Sequence, residues 1–470
     1  QGAATLSYTR AGTVTGETAF NGLWITEPGG QKRSLLDSVT SGEIKGLVEL
    51  RDVEAPAGGA GLAELVSHMA DELNRAHNAN TAVPAPTSLT GRNVGQSLES
   101  AIAGFSGQTT VAVTNAAGVI QARADIVFSG ATMTVNGVAA TPATFLTVLN
   151  AQLGGAATAS FADGRLSLTA TGTNGVAIAD DATSPSNKAG RGFSHYFGLN
   201  DLIATDRPAI YDTGLTAASP HGFTAGETLT LRFTGESGST LRDLQVAVPA
   251  GGTVGDLVAA LNDPATGVGR FGTFALAADG TLSFTGFGNP APTMSVLEDR
   301  TTQVPSGVSV TELFGIGGGV RASRADGFSL RTDIRQSPGR LALAQLTLAA
   351  APGASALSSG DGRGALLLAD AGQRSAAFQA AGGAAGGSIS VSRYASELSG
   401  EIGGRAAAAE NRAKTAEALY SEASARQTAH EGVNLDEELV LMTTYQQAFN
   451  ASARLIQAVK DMYDTLLGMT

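Results

Sequence analysis

The chain contains no cysteine, which excludes disulfides and thiolate-bound metals. Aromatic residues make up 5% of it, and Trp24 is its single tryptophan. Charged residues reach 15%, low against an average of roughly 25%. The charge that is present runs negative, with a formal net charge of −12. A net-acidic chain repels phosphate backbones and anionic headgroups, so no nucleic acid and no anionic membrane surface is expected as a partner. No stretch approaches about 18 uninterrupted apolar residues, so no membrane insertion is expected. Residues 1–30 lack the basic and apolar regions of a secretory signal, and the first residue is Gln.

Glycine is what the chain has in quantity, at 61 of 470 residues. Many glycines with few aromatics predict short strands joined by tight turns. Leu6, Tyr8 and Thr9, and then Leu23 to Ile25, have strand chemistry, with Pro28-Gly29-Gly30 as a turn. Residues 60–79 have a helical period that places Leu62, Leu65, Val66, Met69 and Leu73 on one face. Pro84 and Pro86 end it. Val94, Leu98, Ile102 and Phe105 suit a short helix, and Thr109 to Val113 a strand. Leu341, Leu343 and Leu346 suit a helical turn, and Gly382 to Gly387 reads as a flexible link.

Between residues 124 and 320 one pattern occurs twice. A strand (Asp125 to Phe128) and a short helix (Phe145 to Asn150) lead to a hairpin around Asp163-Gly164, and Tyr196-Phe197-Gly198-Leu199 closes the copy. The second copy runs Leu229 to Phe233, Val254 to Asn262, a hairpin around Asp279-Gly280, then Leu313-Phe314-Gly315-Ile316. The two Asp-Gly pairs lie 116 residues apart and the two Phe-Gly pairs 117. Four elements in one order at nearly one offset predict two copies of a small α+β module. Asp-Gly between alternating apolar residues is a strong hairpin signal.

The last eighty residues read as two long helices. Over 391–430, Tyr394, Leu398, Ile402, Ala409, Ala413, Ala416 and Tyr420 share a face, and alanine favours the helix. Gly432-Val433-Asn434 breaks it, with Asn434 placed as an N-cap and Glu437 where a capping box wants Glu or Gln. From Leu435 onward, heptad steps put Leu435, Met442, Phe449, Ile456 and Tyr463 in one row. Leu441, Ala448, Leu455, Met462 and Met469 form a second row, and Tyr445, Val459 and Leu466 lie on a third. Apolar residues therefore cover a wide arc and not one seam, so this helix is expected to need partner helices on more than one side.

Gly432-Val433-Asn434-Leu435-Asp436-Glu437-Glu438, then Tyr445-Gln446-Gln447-Ala448-Phe449, resembles the C-terminal signature of the flagellar rod, hook and hook-associated proteins. Ala451 to Gln457 and Met462 to Leu467 extend the likeness, and its opening is most similar to hook-associated proteins of the FlgK type. Weaker likenesses lie at Gly46 to Asp52 followed by Leu62 to Asn78, Arg331 to Ile334, Gly360 to Gly364, Tyr394 to Leu398 and Glu401 to Gly403. The resemblance implies a structural subunit joining hook to filament, with terminal helices packed inside a tube and β-rich domains facing outward. It implies self-association in a ring or helical array. Implied partners are hook protein, the next hook-associated protein (FlgL type), and an export chaperone of the FlgN type on the last helix. It implies export through the flagellar type III channel to an extracellular position at the hook–filament junction. Polymer contacts are expected from Leu435, Leu439, Met442, Tyr445, Phe449, Leu455, Ile456, Val459, Tyr463 and Leu466. The family's N-terminal helices have no counterpart in the sequence, so the chain is expected to be a piece of a longer protein.

Signs of catalysis are weak. Gly192-Phe193-Ser194-His195-Tyr196 lacks the final glycine of a nucleophile elbow, and no phosphate-binding loop occurs. Gly315 to Gly319 is read as a module end rather than a dinucleotide loop. No two of the five histidines have the spacing of a helical zinc site, and His68 and His77 are expected at the surface. Asp180-Asp181 and Glu298-Asp299 are expected in solvated loops. No enzyme activity, cofactor or metal is expected. The fold expected is α+β and multidomain: long, coiled-coil-like C-terminal helices as a stem, a mixed inner domain, and two β-rich outer modules. Its parts are placed at 1–83 (inner domain, first part), 84–123 (connector), 124–201 and 202–320 (modules one and two), 321–430 (inner return and long helix) and 431–470 (terminal polymerisation helix). Alternatives are another axial protein, such as hook protein or flagellin, and a surface adhesin or glycan-binding protein on a helical stalk.

Overall fold

In the computed structural model, residues 3–8, 22–35, 39, 41–130, 132–235, 239–431 and 434–468 are described. Thr9, Gly432, Val433 and Met469 lie outside them. The architecture is α+β and multidomain, as expected. The chain divides into two compact units, residues 1–402 and 403–470.

The first unit opens with a small antiparallel sheet of β1 (Thr5–Ser7), β2 (Trp24–Thr26) and β3 (Lys32–Ser34). Helix α1 (Glu43–Glu49), a π turn over Leu50–Glu54 and helix α2 (Ala55–Asn78) follow without a break. The helical stretch therefore begins well before residue 60. Pro56 stands just after the π turn, where the regular i→i−4 ladder is already interrupted.

Module one is built from β4 (Ser88–Thr90), α3 (Leu98–Ile102), β5 (Ser106–Thr114), β6 (Ile120–Ser129), β7 (Thr132–Val135), β8 (Val138–Ala140), α4 (Phe145–Leu153), β9 (Ala157–Ala162), β10 (Arg165–Ala170), β11 (Gly175–Asp180) and α5 (Phe193–Phe197). Its sheets have the orders β11-β5-β6-β7-β8 and β4-β10-β9. Residues 84–123, expected as a connector, supply β4, α3 and β5, and Leu89, Ile102, Phe105, Val111 and Val113 are part of this module's core. Phe105, Phe128, Phe145, Phe193 and Phe197 pack together at its centre. Asp163 and Gly164 both have positive φ, as a two-residue type I′ hairpin requires.

After β12 (Ile203–Ala204), module two repeats the plan. It comprises β13 (Thr228–Thr234), β14 (Thr240–Ala247), α6 (Val254–Leu261), β15 (Gly272–Leu276), β16 (Leu282–Gly286), β17 (Thr293–Asp299) and α7 (Val310–Phe314). Strand β13 alternates, with Leu229, Leu231 and Phe233 inward, and runs between β14 and β17. The chain then returns through α8 (Gly318–Ser323), β18 (Ser329–Leu330, paired with β12), α9 (Thr332–Gln336), α10 (Arg363–Asp370), β19 (Ser375–Phe378) and β20 (Gly387–Ser390).

Two expectations for the return segment fail. Residues 341–346 are not helical: they run extended past α2, and Thr81 and Ala344 exchange both backbone hydrogen bonds. Gly382 to Gly387 is not a link between domains. It is the turn of the β19–β20 hairpin, pressed so closely on α2 that a Cβ on Gly61 would meet the Gly382 backbone at 3.1 Å.

Helix α11 (Val391–Glu431) begins in the first unit, where Tyr394 is fully buried with its ring stacked 4.2 Å from that of Phe378. It continues into the second unit, which ends with α12 (Leu435–Leu467).

Candidate functional site

Two surfaces have unusual chemistry, and each belongs to a different unit. The first is the inward face of α2. Its sequence predicts that Leu62, Leu65, Val66, Met69 and Leu73 point to the core. Instead Leu62 and Met69 are exposed and the other three half-buried, while Glu64, His68, Asp71, Glu72, Asn74, His77 and Asn78 are buried. The expectation that His68 and His77 lie at the surface is wrong for the same reason. The segments packed on this face arrive as loops with unused backbone groups, and polar side chains satisfy them.

The pairing is nearly complete. Asn74 accepts from the N–H groups of Leu202 and Ile203 at 2.8 and 2.7 Å and donates to the Ile203 carbonyl at 2.9 Å. Asn78 accepts from Ser194 Oγ and the Asn200 N–H, and donates to Asp201. His77 Nδ1 donates to the Asn200 carbonyl at 2.5 Å, and its Nε2 accepts from the Ala342 N–H at 2.9 Å. That pattern fixes the neutral tautomer, and burial lowers the His77 pKa to about 4. Asp71 receives Arg191 at 3.3 Å and His195 Nε2 at 3.0 Å, and Arg191 also reaches Asp212 at 2.6 Å. Burial opposes the charge on Asp71, but Arg191 and His195 hold its carboxyl well below the usual range. Glu64 pairs with Arg324 and His68 and accepts from the Gln379 N–H. Those bonds outweigh its burial and bring its pKa to about 2.

This network binds the exit of module one and the return segment to one helix. Ser194 donates to Asn78 and His195 bonds Asp71, so the serine and the neighbouring histidine do not form a nucleophile–base pair. The adjoining cavity is about 70 Å³, room for about two water molecules. Among the described residues no three potential ligands gather for a metal. Of the acidic pairs at the ends of β11 and β17, Glu298 is exposed as expected, but Asp180 and Asp299 are structural acceptors. Asp180 takes the Ser186 hydroxyl, and Asp299 takes N–H groups from Thr301 and Thr311.

The second surface is α12. At its start the Asn434 side chain accepts from the Asp436 N–H at 3.1 Å, a cap made without the box expected through Glu437. Asp436, Glu437 and Glu438 occupy the first turn, where negative charge complements the helix dipole. Thirty-three residues at 1.5 Å each give a rod of about 50 Å. All ten residues expected to make polymer contacts are exposed, from 44% at Val459 to 77% at Leu435. At 100° per residue they spread over an arc of about 200°, just over half the circumference. Val440, Leu441, Met462 and Leu467 are exposed apolar residues beside them. Leu435, Leu439, Met442, Tyr445 and Phe449 line an open groove on the first half of the rod. Every described residue from 406 to 468 is exposed. None of the helices among the described residues is long and apolar enough to cross a membrane.

Comparison with known proteins bears on this helix. Residues 430–469 match the family described as flagellar basal body rod FlgEFG protein, C-terminal. None of the curated proteins compared with the chain matches it. Among solved structures, the flagellar hook junction protein FlgK from Burkholderia pseudomallei is 13% identical, over 88% of this chain and 68% of that one, with a TM-score of 0.23. The match over α12 supports a flagellar axial protein, one that works as a structural component.

Proposed function

We propose that this chain is a structural subunit of the flagellar axis that joins hook to filament, and that it acts by assembly rather than by catalysis. The observation that carries the reading is α12: a capped helix, apolar round most of its circumference and exposed along its length, in the segment that matches the rod-family C-terminal sequence. So much bare apolar surface costs free energy in water, and burying it against other subunits is favourable. The subunit contacts are assigned to Leu435, Leu439, Met442, Tyr445, Phe449, Leu455, Ile456, Val459, Tyr463 and Leu466.

In this reading the axial array forms from copies of the chain, with hook protein on one side and a FlgL-type protein on the other. A FlgN-type chaperone covers α12 until the subunit leaves through the type III channel for its extracellular position. The test is deletion of residues 432–470 in the full-length gene, with filament attachment scored by electron microscopy and motility by swimming. Hooks without filaments and unpolymerised flagellin in the medium are expected. Absence of the hook itself would reassign the chain to rod or hook. Normal filaments with normal swimming would remove it from the axis and favour the adhesin.

A further inference from the structure

The two modules share one plan but finish their hairpins differently. In module one, β4 lies along the outer edge of β10, pairing Ser88 with Thr169, Leu89 with Leu168 and Thr90 with Ser167. The outward backbone groups of β10 are used: the Leu166 carbonyl accepts from the Gly91 N–H, and the Ala170 N–H donates to the Thr87 carbonyl, both at 2.8 Å. On the other edge Asn150 clamps Ala159, accepting from its N–H at 2.6 Å and donating to its carbonyl at 2.9 Å.

Module two repeats the clamp. Asn262 accepts from the Phe274 N–H at 2.7 Å and donates to the Phe274 carbonyl at 2.8 Å. Because the Phe274 backbone faces Asn262, its cross-strand partner Phe284 sits in a non-hydrogen-bonded pair. The N–H and C=O of Phe284, and by alternation those of Leu282 and Gly286, therefore face away from β15. These are the groups that β4 engages in module one. In module two β15 and β16 form a two-stranded sheet, and among the described residues no strand takes that edge.

The chain before each module explains the difference. Val94 N–H reaches the Gly164 carbonyl at 3.0 Å, and Gly214 N–H reaches the Asp279 carbonyl at 2.8 Å, so both segments arrive at the Asp-Gly turn. Upstream of that point, module one's segment pairs as β4. Module two's segment, residues 208–210, lines the cavity beside α2 instead. The open place begins after Leu282, which is itself buried: Leu168 is fully buried beside Leu89, whereas Phe284 is only partly buried and Phe287 is half exposed. Free edges are usually guarded by charge, proline or brevity. Strand β14 has Arg242 and Asp243, β17 ends in Glu298 and Asp299, and β8 has three residues. Residues 282–288 contain neither a charge nor a proline.

We propose that the outer edge of β16 is a docking site for an extended segment of another protein chain, polar–apolar–polar like Ser88-Leu89-Thr90, which adds as a third strand to the hairpin of module two. Backbone hydrogen bonds to Phe284 and Gly286 supply the affinity, and the central apolar side chain covers Phe284. The site is independent of α12 and of the axial reading.

The probe is a fluorescein-labelled peptide of residues 85–93, titrated into the whole chain by anisotropy, with amide hydrogen exchange read residue by residue. Saturable binding is expected, with slowed exchange at the Phe284 amide. A peptide bearing Leu89→Asp is expected to bind at least about tenfold more weakly, since it loses one buried leucine. Three results would overturn the proposal: no saturable binding, equal binding of the Leu89→Asp peptide, or protection gained at Leu168 in place of Phe284.

Discussion

Helices α2 and α12 each invert the usual rule, in opposite directions. Helix α2 buries carboxylates, histidines and amides and leaves Leu62 and Met69 in solvent. Helix α12 leaves its leucines, tyrosines and phenylalanine bare. Burial in this chain thus follows the supply of partners. Every carboxylate on the inward face of α2 has a cation or an N–H waiting for it from a distant part of the chain. The apolar side chains of α12 belong to a unit whose described residues from 406 onward are all exposed. One face is complete within the chain, and the other, on the proposed reading, is completed by assembly.

The contrast breaks most forcefully at Asp71. Asp71→Ala removes the shared partner of Arg191 and His195, both of which are buried. Arg191 keeps Asp212 at 2.6 Å, so what is lost is two hydrogen bonds to a buried carboxylate, with the His195 N–H left unpaired, a cost of about 3 kcal/mol. Urea unfolding of the variant should show that loss. A cost below about 1 kcal/mol, the range of exposed pairs, would mean that the face is not dry.

A smaller effect comes from pH. The His77 pKa in the folded chain is about 4, below its ordinary value, because burial disfavours the charged ring. As pH falls below about 6.5 the unfolded chain takes up the proton first, so folded-state stability is lost between about pH 6.5 and about pH 4. Between about pH 7.5 and about pH 4.5 the His77 share of that loss is about 2.5 kcal/mol. His77→Gln removes the titration, and its stability should fall by that much less over the same interval. An unchanged interval would place the acid sensitivity in other groups, His195 first among them, since burial holds it at about 3.

Which of these features can be read in advance follows from what each depends on. The repeated modules depend on local signals: alternation in β13, the Asp-Gly turns, and the asparagines Asn150 within α4 and Asn262 at the end of α6. The long helices depend on period and on the break before Leu435. These are legible, and so is the exposed arc of α12. The polar face of α2 is not. Hydrophobic periodicity assumes that the apolar stripe points inward, and the residues that reverse it, Arg191, His195, Asn200, Arg324 and Ala342, lie more than a hundred positions away. The signal that is available is the polar series Glu64, His68, Asp71 and Asn78 at helical spacing. The open edge of β16 is hidden for a related reason. It appears only when the two hairpins are compared strand by strand, because nothing in residues 282–286 says whether a third strand arrives.

The smallest expected change in stability is on α12, and it is the sharpest test of the contrast. Phe449 is 74% exposed, so Phe449→Ser removes almost no buried area from the chain itself. Its unfolding free energy should move by less than about 0.5 kcal/mol, as for other surface substitutions. In an assembly the same ring would be buried, and losing it there costs about 3–5 kcal/mol per contact if the packing resembles a protein core. The paired measurement is urea unfolding of the chain and filament attachment in cells carrying the substituted full-length gene. Unchanged stability with lost attachment would show that α12 is completed by its neighbours. Lost stability with normal attachment would show the reverse, that the helix already has its partner within the chain.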